Sequence, residues 1–329
     1  MAQLITSAAP HVHSGDSVQK NMLLVILALL PAFVVSVIAF GWGALITTCI
    51  SIVACVLTEW CITKYMLKRE PSLLDLSAVL TGLLLAMNLP SNLPWWMVVL
   101  GSVFAIGIGK MVFGGLGQNV FNPALVGRVF LLISFPAAMT TWPVAKGFAT
   151  KYLDAETAAT PLSYMKQAVA GHQQFELDSW LDSFLSCVPD HIMGGSMGEI
   201  SALALLIGGI FLLCTRVISW HIPVSILGTV AVFSAILSAF GIGSGPLTHL
   251  LTGGIMLGAI FMATDYVTSP MAAWGKIIYG IGIGVIVVVI RTWGSYPEGM
   301  SFAILIMNAC VPLLDAYVGP KRFGEVVKK

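Results

Sequence analysis

Two short stretches of this 329-residue chain carry side chains whose types and spacing could do chemistry. The first is Asp154-Ala155-Glu156-Thr157-Ala158-Ala159-Thr160-Pro161-Leu162-Ser163. Thr160 followed by Pro161 and a run to Ala170 reads as an N-cap, a first-turn proline and a short helix. Backbone N–H groups at such a start point outward and attract anions, and Lys151 and Lys166 add positive charge. A phosphate esterified to the Thr160 hydroxyl would meet a favourable field, although a capping threonine is common and needs no ligand. The second stretch is Thr264-Asp265-Tyr266-Val267-Thr268-Ser269-Pro270. There Asp265 stands with the hydroxyls of Thr264, Thr268 and Ser269 beside an expected helix break. Hard cations such as sodium are held by oxygen, including carbonyls freed where a membrane helix breaks. The alternative for Asp265 is a place at a span end in the headgroup zone.

Other residues offer less. Glu59, Asp75, Glu199, His249 and Asp315 lie in or beside apolar runs, where an ionisable group faces a wet cavity, a partner or an ion path. Gly109-Lys110 and Gly114-Gly115-Leu116-Gly117-Gln118-Asn119 superficially suggest a phosphate loop. The spacing fails: no glycine lies five before Gly109, Met111 replaces the required hydroxyl, and there is no strand-to-helix context. The six cysteines form no CxxC pair, and Cys49, Cys55 and Cys61 read as small buried hydrophobes within one apolar run. No metal site is expected.

The elements that must position these residues follow from composition. Apolar residues make up 57% and charged residues 9%, with mean hydropathy +0.93. A soluble domain carries roughly 25% charged residues, so an ordinary soluble enzyme, a disordered chain and a nucleic-acid binder are excluded. A spanning helix needs about 20 apolar residues, and ten such runs are expected at 22–41, 43–65, 73–90, 95–113, 120–138, 199–218, 222–241, 247–265, 274–293 and 299–318. The organisation is then a lead at 1–21, a first membrane unit at 22–138, a polar stretch at 139–198, a second membrane unit at 199–318 and a tail at 319–329. The first run follows a polar lead and lacks a small-x-small cleavage site, so it reads as a retained helix.

Placing the N-terminus in the cytoplasm puts ten basic residues inside (Lys20, Lys64, Lys68, Arg69, Arg216, Lys276, Lys321, Arg322, Lys328 and Lys329) and four outside (Lys146, Lys151, Lys166 and Arg291). Lys110 and Arg128 then lie near span ends facing in, both termini are cytoplasmic, and 139–198 is an external loop domain.

The third and eighth runs share Leu80-Thr81-Gly82 and Leu251-Thr252-Gly253, and each ends in a polar, proline-bearing break. The following runs share Gly107-Ile108-Gly109 and Gly282-Ile283-Gly284. The expected fold is an all-α polytopic membrane protein of about ten transmembrane helices, arranged as two inverted five-helix repeats with a small external loop domain.

The chain resembles the NqrB/RnfD family of membrane flavoproteins. The resemblance runs nearly end to end: Pro10-His11 to Met22, Ala28-Leu29-Leu30-Pro31-Ala32, Phe113-Gly114-Gly115-Leu116-Gly117-Gln118-Asn119-Val120-Phe121-Asn122-Pro123-Ala124, Gly195-Ser196-Met197-Gly198-Glu199, Phe261 to Pro270, Tyr296-Pro297-Glu298-Gly299 and Met307-Asn308-Ala309. The modest length and short lead match the Rnf branch. The resemblance implies FMN joined by a flavin transferase, through its phosphate, to the last threonine of an Asp-x-x-Ser/Thr-Gly-Ala-Thr motif. Asp154, Thr157, Ala159 and Thr160 match that motif and Ser163 fits the trailing position. Ala158 stands where glycine is usual, a departure that bears on backbone angle and enzyme approach.

The resemblance further implies a bacterial inner-membrane subunit that passes electrons between reduced ferredoxin and NAD⁺, coupled to outward transport of sodium or protons. The implied partners are RnfA, RnfB, RnfC, RnfE, RnfG and the lipid bilayer. A non-covalent riboflavin among the helices is also implied, with no residues assigned to it. A stand-alone channel or transporter of the urea- or ammonium-channel type explains the repeat but leaves 154–163 idle. A scaffold subunit without flavin is the third reading.

Overall fold

The computed structural model describes residues 16–69, 73–149, 152–153, 157–171, 195–296 and 298–319. Lys151 and Asp154 of the candidate flavin stretch lie outside the described residues. The first membrane unit contains α1 (Val18–Phe40), α2 (Trp42–Cys61), α3 (Ser77–Met87), α4 (Trp95–Ile106) and α5 (Pro123–Ser134). After a one-turn helix α6 (Pro136–Met139) come β1 (Trp142–Pro143), β2 (Thr157–Ala158) and α7 (Pro161–Ala170), with β1 and β2 paired antiparallel. The second unit contains α8 (Ala202–Cys214), α9 (His221–Ala239), α10 (Pro246–Leu251), α11 (Ile255–Leu257), α12 (Ala273–Trp293) and α13 (Met300–Val318). Three π-helical turns, Ile62–Met66, Gly107–Met111 and Gly258–Met262, extend α2, α4 and α11.

Local chemistry explains the starts and stops. Ser17 caps α1 by accepting from the Lys20 N–H at 3.1 Å, and Asn122 caps α5 ahead of Pro123 by accepting from the Ala124 N–H at 3.1 Å. Among the described residues, five helices are long and apolar enough to cross a membrane: Val18–Phe40, Trp42–Met66, His221–Ala239, Ala273–Trp293 and Met300–Val318. The other apolar segments are shorter than the expected runs. α3 has 11 residues, α5 has 12 and α8 has 13, so at about 1.5 Å per residue none spans about 30 Å of hydrocarbon unaided. The expected run 247–265 is interrupted at 252–254. The chain is a polytopic all-α membrane protein in which long apolar helices stand beside shorter ones, one of them interrupted.

Packing relies on small residues, because lipid supplies no hydrophobic drive between helices. α1 lies against α8, where a Cβ at Gly208 would run into the Ala28 carbonyl oxygen. α9 and α12 meet through Gly280 and Gly284, which admit Ser225 and Thr229. In the first unit α2 packs on α3 and α4, with Gly82 against the Ile52 backbone.

Several sequence expectations are corrected. Leu80-Thr81-Gly82 lies inside α3, whereas Thr252 and Gly253 lie in an interruption, so those triplets are not equivalent. Gly107–Gly109 belongs to a π turn and Gly282–Gly284 to the middle of α12. The elements that do correspond are two left-handed corners, Leu76 (φ 60°) before α3 and Gly253 (φ 71°) before α11. Cys55 is buried, but Cys49 and Cys61 face outward. Lys110, Arg128 and Arg291 are all buried, which removes them from any count of charges at the membrane surface.

The glycine contacts make a paired prediction. Gly208→Ala should destabilise the protein by about 1–3 kcal/mol through overpacking, read as a lower unfolding temperature in detergent. Gly228→Ala, whose Cβ would meet nothing within 4 Å, should leave it unchanged.

Candidate functional site at the helix breaks and the Thr160 helix

An interrupted helix frees backbone groups that must find partners where water is scarce. At 252–254 the partners are ionic. Arg291 of α12, fully buried, donates from Nη1 to the His249 carbonyl (2.7 Å) and from Nη2 to the Thr252 carbonyl (2.9 Å). A cation therefore sits at the carboxyl end of α10, where the helix dipole favours it. On the other side of the break Glu298 accepts from the Gly254 N–H at 3.0 Å, placing an anion at the start of α11.

Glu298 is also paired with Arg128 of α5, and the pair is nearly inaccessible. Arg128 Nη1 donates further to Asn88 Oδ1 (2.9 Å) and Ser301 Oγ (2.8 Å). Asn88 follows α3 and donates to the Leu84 carbonyl at 2.6 Å. One guanidinium thus ties the end of α3 to the break in the second unit. The chain entering α8 joins this region: the Gly198 N–H donates to the Met87 carbonyl at 2.7 Å and the Met197 N–H to that of Leu89 at 3.4 Å. Tyr152 donates its hydroxyl to the Leu93 carbonyl at 2.7 Å.

Thr160 is the N-cap of α7, as its position before Pro161 predicts. Its Oγ1 accepts from the Ser163 N–H at 3.2 Å, while Ser163 Oγ donates to the Thr160 carbonyl at 2.6 Å. Thr157 lies in the short ladder with Trp142–Pro143, and Ala159 is exposed between ladder and helix. Thr160 itself is only 5% exposed. Leu162 and Met165 are buried, with α7 lying against α12. On this helix the Lys166 Nζ is buried without a hydrogen-bond partner, and burial pushes the ammonium below the ordinary lysine range. A hydroxyl at a helix start suits a phosphate ester.

A cavity of about 280 Å³ lies between the units, lined in part by Met22, Leu80, Leu84 and Phe261 and by the polar Asn119, Asn122, Thr264 and Asp265. Asp265 is brought together with Thr268, whose hydroxyl donates to it at 3.1 Å. The Thr264 hydroxyl instead donates to the Ile260 carbonyl of its own helix at 2.6 Å. Asn122 donates to the Met262 carbonyl at 3.1 Å, closing the end of the π turn. Lys110 also reaches this cavity and is bound to both carboxylate oxygens of Glu59 (2.8 and 2.7 Å) and to Ser77 Oγ (2.7 Å). The pairing of Glu59 with Lys110, and of Arg128 with Glu298, is not readable from spacing. Its only sequence signal is the rarity of opposite charges within apolar runs.

The family described as NQR2, RnfD, RnfE matches residues 5–324. The chain belongs to this family. It is 46% identical over 98% of its length to the D subunit of the Na⁺-translocating ferredoxin:NAD⁺ oxidoreductase complex of Acetobacterium woodii, covering 95% of that protein. It is 43% identical to the D subunit of the ion-translocating oxidoreductase complex of Stutzerimonas stutzeri, over 94% of this chain and 93% of the relative. It is 42% identical to the D subunit of the proton-translocating ferredoxin:NAD⁺ oxidoreductase complex of Clostridium ljungdahlii, over 97% and 95%. Membership of the NQR2, RnfD, RnfE family accounts for the end-to-end character of the sequence resemblance.

Breaking one buried pair exposes its energetics. Lys110→Met strands Glu59 and should cost about 3–5 kcal/mol, whereas the double replacement Glu59→Met/Lys110→Met should regain most of that loss. Thermal unfolding of the three proteins in one detergent measures it.

Proposed function

We propose that this chain is the flavin-bearing membrane subunit of an ion-translocating ferredoxin:NAD⁺ oxidoreductase complex, with FMN joined by a phosphodiester to Thr160. The observation that carries this reading is the Thr160 cap: in a family-like Asp-x-x-Thr-Ala-Ala-Thr stretch, the last threonine presents Oγ1 at the start of α7. Flavins exchange electrons singly or in pairs, which lets such a group join one-electron iron–sulfur centres to two-electron carriers. The protein supplies the anion-favouring helix start. Because Thr160 is buried once α7 is seated, the flavin transferase acts while the start of α7 is still open. Asp154, Thr157, Ala159 and Ser163 complete the recognition stretch.

The membrane part is read as ten spans in two inverted five-helix repeats, 22–138 and 199–318, separated by an external loop domain at 139–198. Contacts support the pairing of α1 with α8, α2 with α9, α3 with α10 and α11, α4 with α12, and α5 with α13. In each unit the second helix packs on the third and fourth and the fourth packs on the fifth, while α1 meets α8 and α5 meets α13 across the units. The lead at 1–21 and the tail at 319–329 lie in the cytoplasm of a bacterial cell whose inner membrane holds the protein. RnfA, RnfB, RnfC, RnfE and RnfG are the partners.

The cavity beside Asp265 has the apolar walls and few polar groups that suit a non-covalent riboflavin. Asp265 and Thr264 serve the ion path at its edge, where oxygen ligands follow the π turn.

Two experiments test this. Protein made with its transferase, denatured and run on a gel, should fluoresce yellow-green under ultraviolet light, and Thr160→Ala should abolish the band. A dark wild-type band despite active transferase contradicts the flavin assignment. Asp265→Ala in the complex should blunt the sodium dependence of electron transfer, and unchanged coupling removes Asp265 from the ion path.

A further inference from the structure

The stretch between the two membrane units holds the first at the end of α3 and the second at the break at 252–254. Tyr152 is bonded to Leu93 and the backbone of Met197 and Gly198 to Leu89 and Met87, all at or just beyond the end of α3. The third grip is Leu162, two residues beyond Thr160. A Cβ built on Gly253 would lie 2.5 Å from Leu162 Cδ1 and 2.5 Å from Arg291 Nη2. Leu162, the left-handed corner at Gly253 and the Arg291 guanidinium are therefore in one stack, with no room for any side chain at 253.

Each member constrains the next. Gly253 holds φ 71°, which other residues adopt only with strain. Arg291 fixes the corner by binding the carbonyls of His249 and Thr252. Glu298 holds the Gly254 N–H and, through Arg128, reaches Asn88 at the end of α3. Close-packed contacts of this kind do not deform gradually, so a shift of α7 repacks the stack in a discrete way.

We infer that Leu162 and Arg291 are positioning residues that couple the seat of Thr160 to the break at 252–254, so that the inter-unit stretch clasps this break and the end of α3 together. Whatever alters how α7 sits, including its load at Thr160, alters the break, and the effect is reciprocal. This rests on the flavin reading for the nature of the load, but not for the clasp itself.

The test uses the assembled complex in proteoliposomes and hydrogen exchange at the amides of 252–258. Leu162→Ala should speed exchange there and lower the number of ions moved per electron, while amides of α1 and α8 stay as in wild type. Leu162→Met, which keeps the volume, should restore both. A Leu162→Ala complex with wild-type exchange and wild-type ion-to-electron ratio overturns the inference. A second arm needs no substitution: the wild-type chain made with and without the transferase should differ in protection at 252–258. Identical protection, with the fluorescent band present only in the loaded sample, also overturns it. A dark band in both samples condemns the flavin reading alone, and the Leu162→Ala arm still decides the clasp.

Discussion

The structure depends on charge buried where helices stop. In hydrocarbon a free backbone N–H or C=O costs several kcal/mol, and the second unit interrupts a helix in its interior. Arg291 on the freed carbonyls and Glu298 on the freed N–H answer that cost with the signs the two half-helix dipoles demand. Arg128 neutralises Glu298 and reaches Asn88, so the end of α3 and the break before α11 are held by one network. Without the network the freed backbone groups at 252–254 would lose the charges that bind them. The long helices supply thickness, whereas the ionic network permits the irregular backbone between them.

That arrangement divides the molecule into two regions. One is the seated Thr160 helix with its buried cap and its unpaired Lys166. The other is the cavity bordered by Asp265, Asn122 and Lys110, the last paired with Glu59. Leu162 touches the break at 252–254, and the backbone of Met197 and Gly198 is bonded at the end of α3. The relatives named for sodium and for proton translocation share 46% and 42% identity with this chain. Overall similarity therefore does not distinguish the two ions.

Local rules made part of this legible in the sequence. The Thr160 cap follows from a hydroxyl before proline, and the ends of α3 and of the π turn at Met262 follow from polar, proline-bearing stretches. The break at 252–254 was not legible, because its stability comes from Arg291 and Glu298 some forty residues later. Read locally, Leu251-Thr252-Gly253 looks like Leu80-Thr81-Gly82, yet only one of the two is helical throughout. Leu76 gives no hint of its left-handed corner, since leucine rarely adopts one. Arg128 read as a charge near a span end, but its partner Glu298 lies 170 residues away. Long-range pairing of rare charges is what a one-dimensional reading loses.

The proposed function stands or falls with a covalent flavin at Thr160, seated against the broken half of the membrane part. Mass spectrometry of the chain purified from cells that contain the transferase is the decisive measurement. The expected intact mass is that of the chain plus one FMN less one water, with fragmentation placing the addition on Thr160. An unmodified chain, or an addition mapped to another residue, would contradict it.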